Sequence, residues 1–159
     1  LTADCIPCFA PLILNEQKQE MDRGPAMYAL TPSMLTGVTQ LDAEHQDLVT
    51  VINRIASAEE RHDSSEVLTH LRHFRDELAG HFRHEEEYLG LLSYPARDAH
   101  AKHHAETISA LERIADELAD SVIDLGGIAA ECFYELLGTV LTMDMRFLDW
   151  HQEKKRAAG

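Results

Sequence analysis

Two residue pairs, each at helical spacing, flank a single proline in the stretch HFRHEEEYLGLLSYPARDAHAKHH, residues 81–104. His81 and Glu85 are four apart, and so are His100 and His104. On an α-helix such residues stack on one face, about 6 Å apart along the axis. Pro95 suits a first helical turn and interrupts whatever precedes it. The pairs therefore fall on two consecutive antiparallel helices, one near the end of the first and one near the start of the second. They meet at one end of a hairpin. Three imidazoles and a carboxylate gathered there describe half of a metal site.

Apolar spacing supplies helices on either side. A first helix is expected over about residues 40–60, with Thr39-Gln-Leu-Asp42 as a capping pattern. Its inner face is Leu41, His45, Leu48, Ile52 and Ile55. A lone histidine on an apolar face is ordinarily a hydrogen-bonded core residue, so His45 becomes a ligand candidate only through its level in the fold. After a turn at Arg61–Ser65, Asp63 with Glu66 can cap a second helix running to about residue 91. Val67, Leu71, Phe74, Leu78, His81, Glu85, Tyr88 and Leu92 form its inner face, and His70, His73 and His84 read as surface residues. The third helix, about 95–120, turns His100, His104, Thr107, Ile108, Leu111, Ile114 and Leu118 inward. His103 is rotated by about 100° and reads as solvated. Gly126-Gly127 breaks the chain before a fourth helix over about 128–153. Its expected stripe is Phe133, Leu137, Val140, Leu141, Asp144 and Leu148, with Asp149 at the flank.

Short connections between four such helices predict an all-α, up-down-up-down antiparallel four-helix bundle over residues 38–153. An N-terminal arm, 1–37, holds four of the five prolines, and a polar, basic tail, 154–159, either frays or leads into a downstream module. Cys5-Ile-Pro-Cys8 has the spacing of a redox motif, but no strand precedes it and Pro11 follows closely. It reads as two incidental thiols in the arm. Three cysteines, an odd count, argue against a disulfide framework and for a reducing, cytoplasmic setting. The start lacks the basic segment of a secretory signal, and it begins at Leu1 rather than Met, as a processed or excised chain would. No apolar run approaches the roughly 18 residues of a membrane span. The formal net charge of −14 repels phosphate backbones, which excludes nucleic acid as a partner and suits cations. Oligomeric state is left open.

The bundle brings the polar inner residues to one depth. His45 lies near the start of the first helix, His81 and Glu85 near the end of the second, His100 and His104 near the start of the third, and Asp144 and Asp149 near the end of the fourth. All are at the same end, roughly 5–12 Å in along the axis. Imidazoles with carboxylates suit iron, zinc, manganese or copper, and the lack of cysteine at this level argues against a thiolate site. Seven candidate ligands are too many for one ion and suit two, with Glu85 and one aspartate able to bridge. The alternative is a hydrogen-bonded network of the same residues without metal.

This set resembles the hemerythrin-like family, in particular bacterial hemerythrins. The resemblance rests on Gly37-Val38 leading into LDAEHQDL around His45, on HFRHEE with His81 and Glu85, on Tyr94-Pro95 followed by His100 and His104, and on a closing acid, Asp149. It covers about residues 35–152. It implies a non-haem site of two iron ions bridged by Glu85, Asp149 and an oxo or hydroxo group, with an open position on one iron for O₂ or an azide-like anion. The family's last motif, H-x-x-x-x-D, then reads Asp144-Met-Arg-Phe-Leu-Asp149, with aspartate in the histidine position. Asp144 would ligate directly or leave water there; His151 lies roughly 10 Å further along the helix and cannot replace it. A third carboxylate would favour the ferric state and lower the reduction potential. The function implied is an oxygen or redox sensor, possible partners being a downstream signalling module such as a diguanylate cyclase or chemotaxis domain. The alternatives are an O₂ carrier or store, and a di-iron enzyme that activates O₂ or reduces peroxide. No separate substrate-binding residue is visible, so a non-enzymatic role ranks first.

Overall fold

The structure is a computed structural model that describes residues 28–120 and 124–157. Among these residues every regular element is helical: a 3₁₀ turn at Pro32–Met34, then α1 (Thr39–Glu60), α2 (Ser64–Leu91), α3 (Arg97–Ala119), α4 (Ile128–Thr139), a π-helical turn at Val140–Asp144, and α5 (Met145–Ala157). The last three are continuous and form the fourth rod of a helical bundle. Packing runs α1 on α2, α2 on α3, and α1 on α4. The N-terminal stretch with Cys5 and Cys8, and the last two residues of the tail, lie outside the described residues. No described helix is long and apolar enough to cross a membrane.

Each helix start has its own chemistry. The expected pattern at α1 works in a different sense from a capping box. Val38 is the N-cap and makes no side-chain bond. Gly37, at φ +78°, folds the lead-in back over the first turn, a conformation suited to glycine. The Asp42 carboxylate then accepts from Thr36 N at 2.7 Å, Thr36 Oγ1 at 2.8 Å and Gly37 N at 3.0 Å. Its charge sits where the helix dipole favours an anion. At α2, Asp63 Oδ1 accepts from Glu66 N at 3.0 Å, as the sequence pattern expects. At α4 the N-cap is Gly127, φ +95°, which has no side chain to offer. Glu59 of α1 fills the role by accepting from Ala129 N at 3.0 Å. Burial holds its carboxyl above the ordinary range.

The core below the polar level is built from Leu48, Ile52 and Ile55 of α1, Leu71, Phe74 and Leu78 of α2, Leu111 of α3, and Ala129, Cys132 and Leu136 of α4, all buried. The end of the arm closes one side. Tyr28 and Asn53 exchange two bonds, at 2.7 and 2.9 Å, and the Tyr28 ring lies 4.8 Å from that of Phe133. This contact explains a correction in the fourth rod. Its buried face is Ile128, Ala129, Cys132, Leu136, Thr139, Val140, Asp144 and Phe147, while Phe133, Leu137 and Leu148 are only half-buried. In α4 the buried face is set one residue, about 100°, from the expected stripe, with the arm covering Phe133 from outside, while Val140 and Asp144 fall on the stripe as expected.

Phe74→Ala is expected to cost about 3–5 kcal/mol by opening a cavity at the centre of this core. Asp63→Ala is expected to cost about 1 kcal/mol by removing a cap. Urea unfolding of the two variants checks the ranking; equal losses would mean that α2 is not held through Phe74.

Candidate metal centre

Six buried side chains converge at one end of the bundle. α1 contributes His45, α2 His81 and Glu85, α3 His100 and His104, and the fourth rod Asp144; none is more than 2 % exposed. Their donor atoms form two groups, His45 with His81 and Asp144, and Glu85 with His100 and His104. Within each group the donor atoms lie within 4.8 Å of one another, close enough to hold a cation.

Asp144 stands between the groups. Its Oδ2 is 3.5 Å from His45 Nε2 in one, and its Oδ1 is 3.5 Å from His100 Nε2 in the other. Glu85 Oε2 lies 3.3 Å from both His100 Nε2 and His104 Nε2. These approaches lack hydrogen-bond geometry, and all four carboxylate oxygens of Glu85 and Asp144 are buried without a partner. Buried carboxylates left this way are costly, and a cation at the focus of the donors removes the cost. The residues present therefore fit a metal.

The outer faces of two imidazoles are fixed. His81 Nδ1 donates to Glu44 Oε2 at 2.9 Å, and His104 Nδ1 donates to Glu86 Oε1 at 2.9 Å. Carboxylates only accept, so Nδ1 carries the proton and Nε2 presents a lone pair to the centre. Phe82 stacks on His104, centroids 3.6 Å apart and planes 4° from parallel. Glu44 Oε1 also accepts from His84 Nδ1 at 2.9 Å, so the exposed His84 is tied to the site's rim. A cleft of about 350 Å³ beside His81 is lined by four acids, Glu44, Asp47, Asp76 and Glu77, together with Arg83 and His84. His45 Nε2 and His81 Nε2 face each other at 3.0 Å.

Burial and mutual proximity set the protonation of the metal-free chain. Burial, with His81 alongside, drives His45 down to about 4. Burial likewise lowers His81 against the pull of Glu44. His100 goes the other way: burial opposes its charge, but Asp144 and Glu85 outweigh it and raise it to about 9. Burial, reinforced by the Glu85 charge, raises Asp144 to about 8. Burial works against ionised Glu85 as well, yet the imidazoles of His100 and His104 hold it below the ordinary carboxylate range.

Of the seven residues expected from sequence, the structure brings six together and leaves out Asp149. Its side chain is exposed. The reason is angular: Asp149 follows Asp144 by five residues of ordinary α-helix, about 140° further round, while Phe147 at three residues stays inside. The π turn lies on the other side of Asp144. Residues five apart stack across such a turn, which has i→i+5 bonds like that from Met145 N to Val140 O. Thr139, five residues before Asp144, is buried, and its hydroxyl donates to Glu135 O at 3.2 Å. Sequence reasoning also missed Glu44 and Glu86, each next to a ligand candidate but reaching across to a neighbouring helix. His103, expected in solvent, is half-buried, with its Nε2 unpartnered.

Asp144 and His100, side by side, together hold more protons in the folded, metal-free chain than in the unfolded chain. The stability each contributes is full below the ordinary values, 3.8 and 6.5, and is lost as pH rises through about 8 and about 9. Metal-free protein is expected to weaken between pH 7 and 9, while loaded protein, in which a cation replaces both protons, gains relative to it. Thermal melts with and without metal check this; parallel profiles over that range would contradict it.

The chain matches the family described as "Hemerythrin HHE cation binding domain" over residues 36–146. No curated protein matches it.

Proposed function

This chain belongs to the hemerythrin HHE cation-binding family, and on that premise we propose that it is a non-haem di-iron domain sensing O₂ or redox state. The observation that carries the reading is Asp144, with one oxygen toward each of two ligand groups. Imidazole and carboxylate donors without thiolate suit iron. Two three-residue groups that share a carboxylate suit two ions.

The placement of Asp144 changes the register of the H-x-x-x-x-D motif. Asp144 takes its last position and Thr139 its first, across the π turn. The bridging pair in this reading is Glu85 with Asp144, and Asp149 has no part in it. The argument for a lowered potential from a third carboxylate falls with Asp149. What distinguishes this site is a missing imidazole: Thr139 stands where the motif has histidine, so each ion is left with two, His45 and His81 or His100 and His104.

Iron held there would supply reversible one-electron chemistry and open positions for O₂ or a small anion such as azide. The protein's own part is positional. Glu44 and Glu86 orient His81 and His104, Phe82 locks the His104 ring, and Phe147, one turn beyond Asp144, helps keep water out. Asp144 also offers a route for output. It ends the π turn from which α5 leads toward the C-terminal end, so a change in its bonding bears on that helix. A signalling module of the diguanylate cyclase or chemotaxis type, in a reducing cytoplasm, is the partner class this reading calls for. The missing imidazole favours a second reading, reduction of peroxide, since more than one coordination position stays open.

Protein reconstituted with ferrous salt is expected to hold about two iron ions per chain and to show a ligand-to-metal band that shifts on azide. Loss of the band in Asp144→Asn, with Asp149→Asn unaffected, supports the bridging assignment; the reverse pattern defeats it. Thr139→His should fill the vacant position and slow oxidation by air, followed by stopped-flow absorbance. An unchanged rate would show that the position is not a coordination site.

A further inference from the structure

Tyr88, Tyr94 and Trp150 gather at the end of the bundle that holds the centre. Tyr88 is one helical turn beyond Glu85, and Phe147 one turn beyond Asp144. The Tyr88 and Phe147 rings are 5.7 Å apart, those of Phe147 and Tyr94 5.5 Å, and those of Tyr94 and Trp150 5.2 Å. Phe147 is buried, whereas Tyr88, Tyr94 and Trp150 are each partly open to solvent. Among the described residues, the fully buried core contains neither tyrosine nor tryptophan. Trp150 is the chain's sole tryptophan, and two of its four tyrosines stand in this cluster. The rings used here are the side chains that lose an electron most readily.

We propose that Tyr88, Tyr94 and Trp150 form an electron relay between the metal centre and the surface. The proposal rests on the di-iron reading and adds a path by which oxidising equivalents leave the centre. The oxidant is hydrogen peroxide. Its reduction to two water molecules takes two electrons and two protons. Iron held by the six buried residues, with one electron to give, would supply the first and be left one electron poorer. The second electron leaves the Trp150 indole by way of Tyr94 and Tyr88. The indole N–H proton goes to solvent, and both protons consumed come from solvent. Lys154 Nζ, 4.6 Å from the Trp150 ring centroid, disfavours a positively charged radical and so favours loss of that proton with the electron. A one-electron donor of the thiol or ascorbate class then restores the ring, and solvent returns the proton.

The test uses iron-loaded protein first oxidised by one electron per pair, so that each pair has one electron to give, then mixed with hydrogen peroxide, frozen, and read by electron paramagnetic resonance. An organic radical is expected in the native chain. In Trp150→Phe its spectrum should change from indole to phenoxyl character. In the triple variant Tyr88→Phe, Tyr94→Phe, Trp150→Phe it should fall to background, with iron content and the azide-sensitive band unchanged. Adding ascorbate should shorten the lifetime of the native signal. Consumption of peroxide by loaded protein without an organic radical, or a radical unaltered in the triple variant, overturns the relay while leaving the di-iron reading standing. A chain that takes up no iron overturns both.

Discussion

Two carboxylates buried among four imidazoles set the terms for the rest of the molecule. Glu85 and Asp144 have no hydrogen-bond partner and almost no contact with solvent. In the metal-free chain the cost is reduced by protons held at Asp144 and His100 above their ordinary range, while His45 stays neutral well below its own. Keeping such a group dry needs four long helices and a firm apolar layer beneath it, which Leu48, Ile52, Phe74, Leu78 and Leu111 provide. It also needs an outer layer. Glu44 and Glu86 fix the proton on the outer nitrogen of two imidazoles, so that the inner nitrogens carry lone pairs toward the centre.

One π turn decides which aspartate belongs to this group. An α-helix repeats every 3.6 residues, so residues five apart point in different directions. Val140–Asp144 has the wider turn, and across it Thr139 and Asp144 come onto one side. Asp149 follows after ordinary α-helix has resumed and faces outward. The missing imidazole of the proposed site is thus at Thr139, and the charge of the proposed site is that of two carboxylates. π turns are often found at functional sites. This one joins the Asp144 side chain to the helix that leaves the bundle.

Most of the fold was legible because it rests on local rules. Asp63 and Glu66 start α2 by the bond that their spacing anticipates, and Gly126-Gly127 marks the break before α4. The polar level was legible too: His45, His81, Glu85, His100 and His104 are each on an inner face at the same height. The start of α1 was misread because Gly37 lets Asp42 reach residues before the helix. The fourth stripe was misread because the covering of Phe133 by Tyr28 joins residues far apart in the chain.

What the sequence determined by itself was the number of helical rods, the end at which polar residues collect, and the chemical kind of donor, since i,i+4 spacing and side-chain type act within a few residues of each other. What only the tertiary structure decided was the π turn before Asp144, the offset of the buried face in α4, and the place of Asp144 between both donor groups, together with the reach of Glu44 and Glu86 to imidazoles on neighbouring helices. A periodic pattern constrains a helix to a face only within about one residue, or 100°. The packing of one rod against the others resolves that residue, because a carboxylate turned into the bundle and one turned into water differ by the whole cost of desolvation.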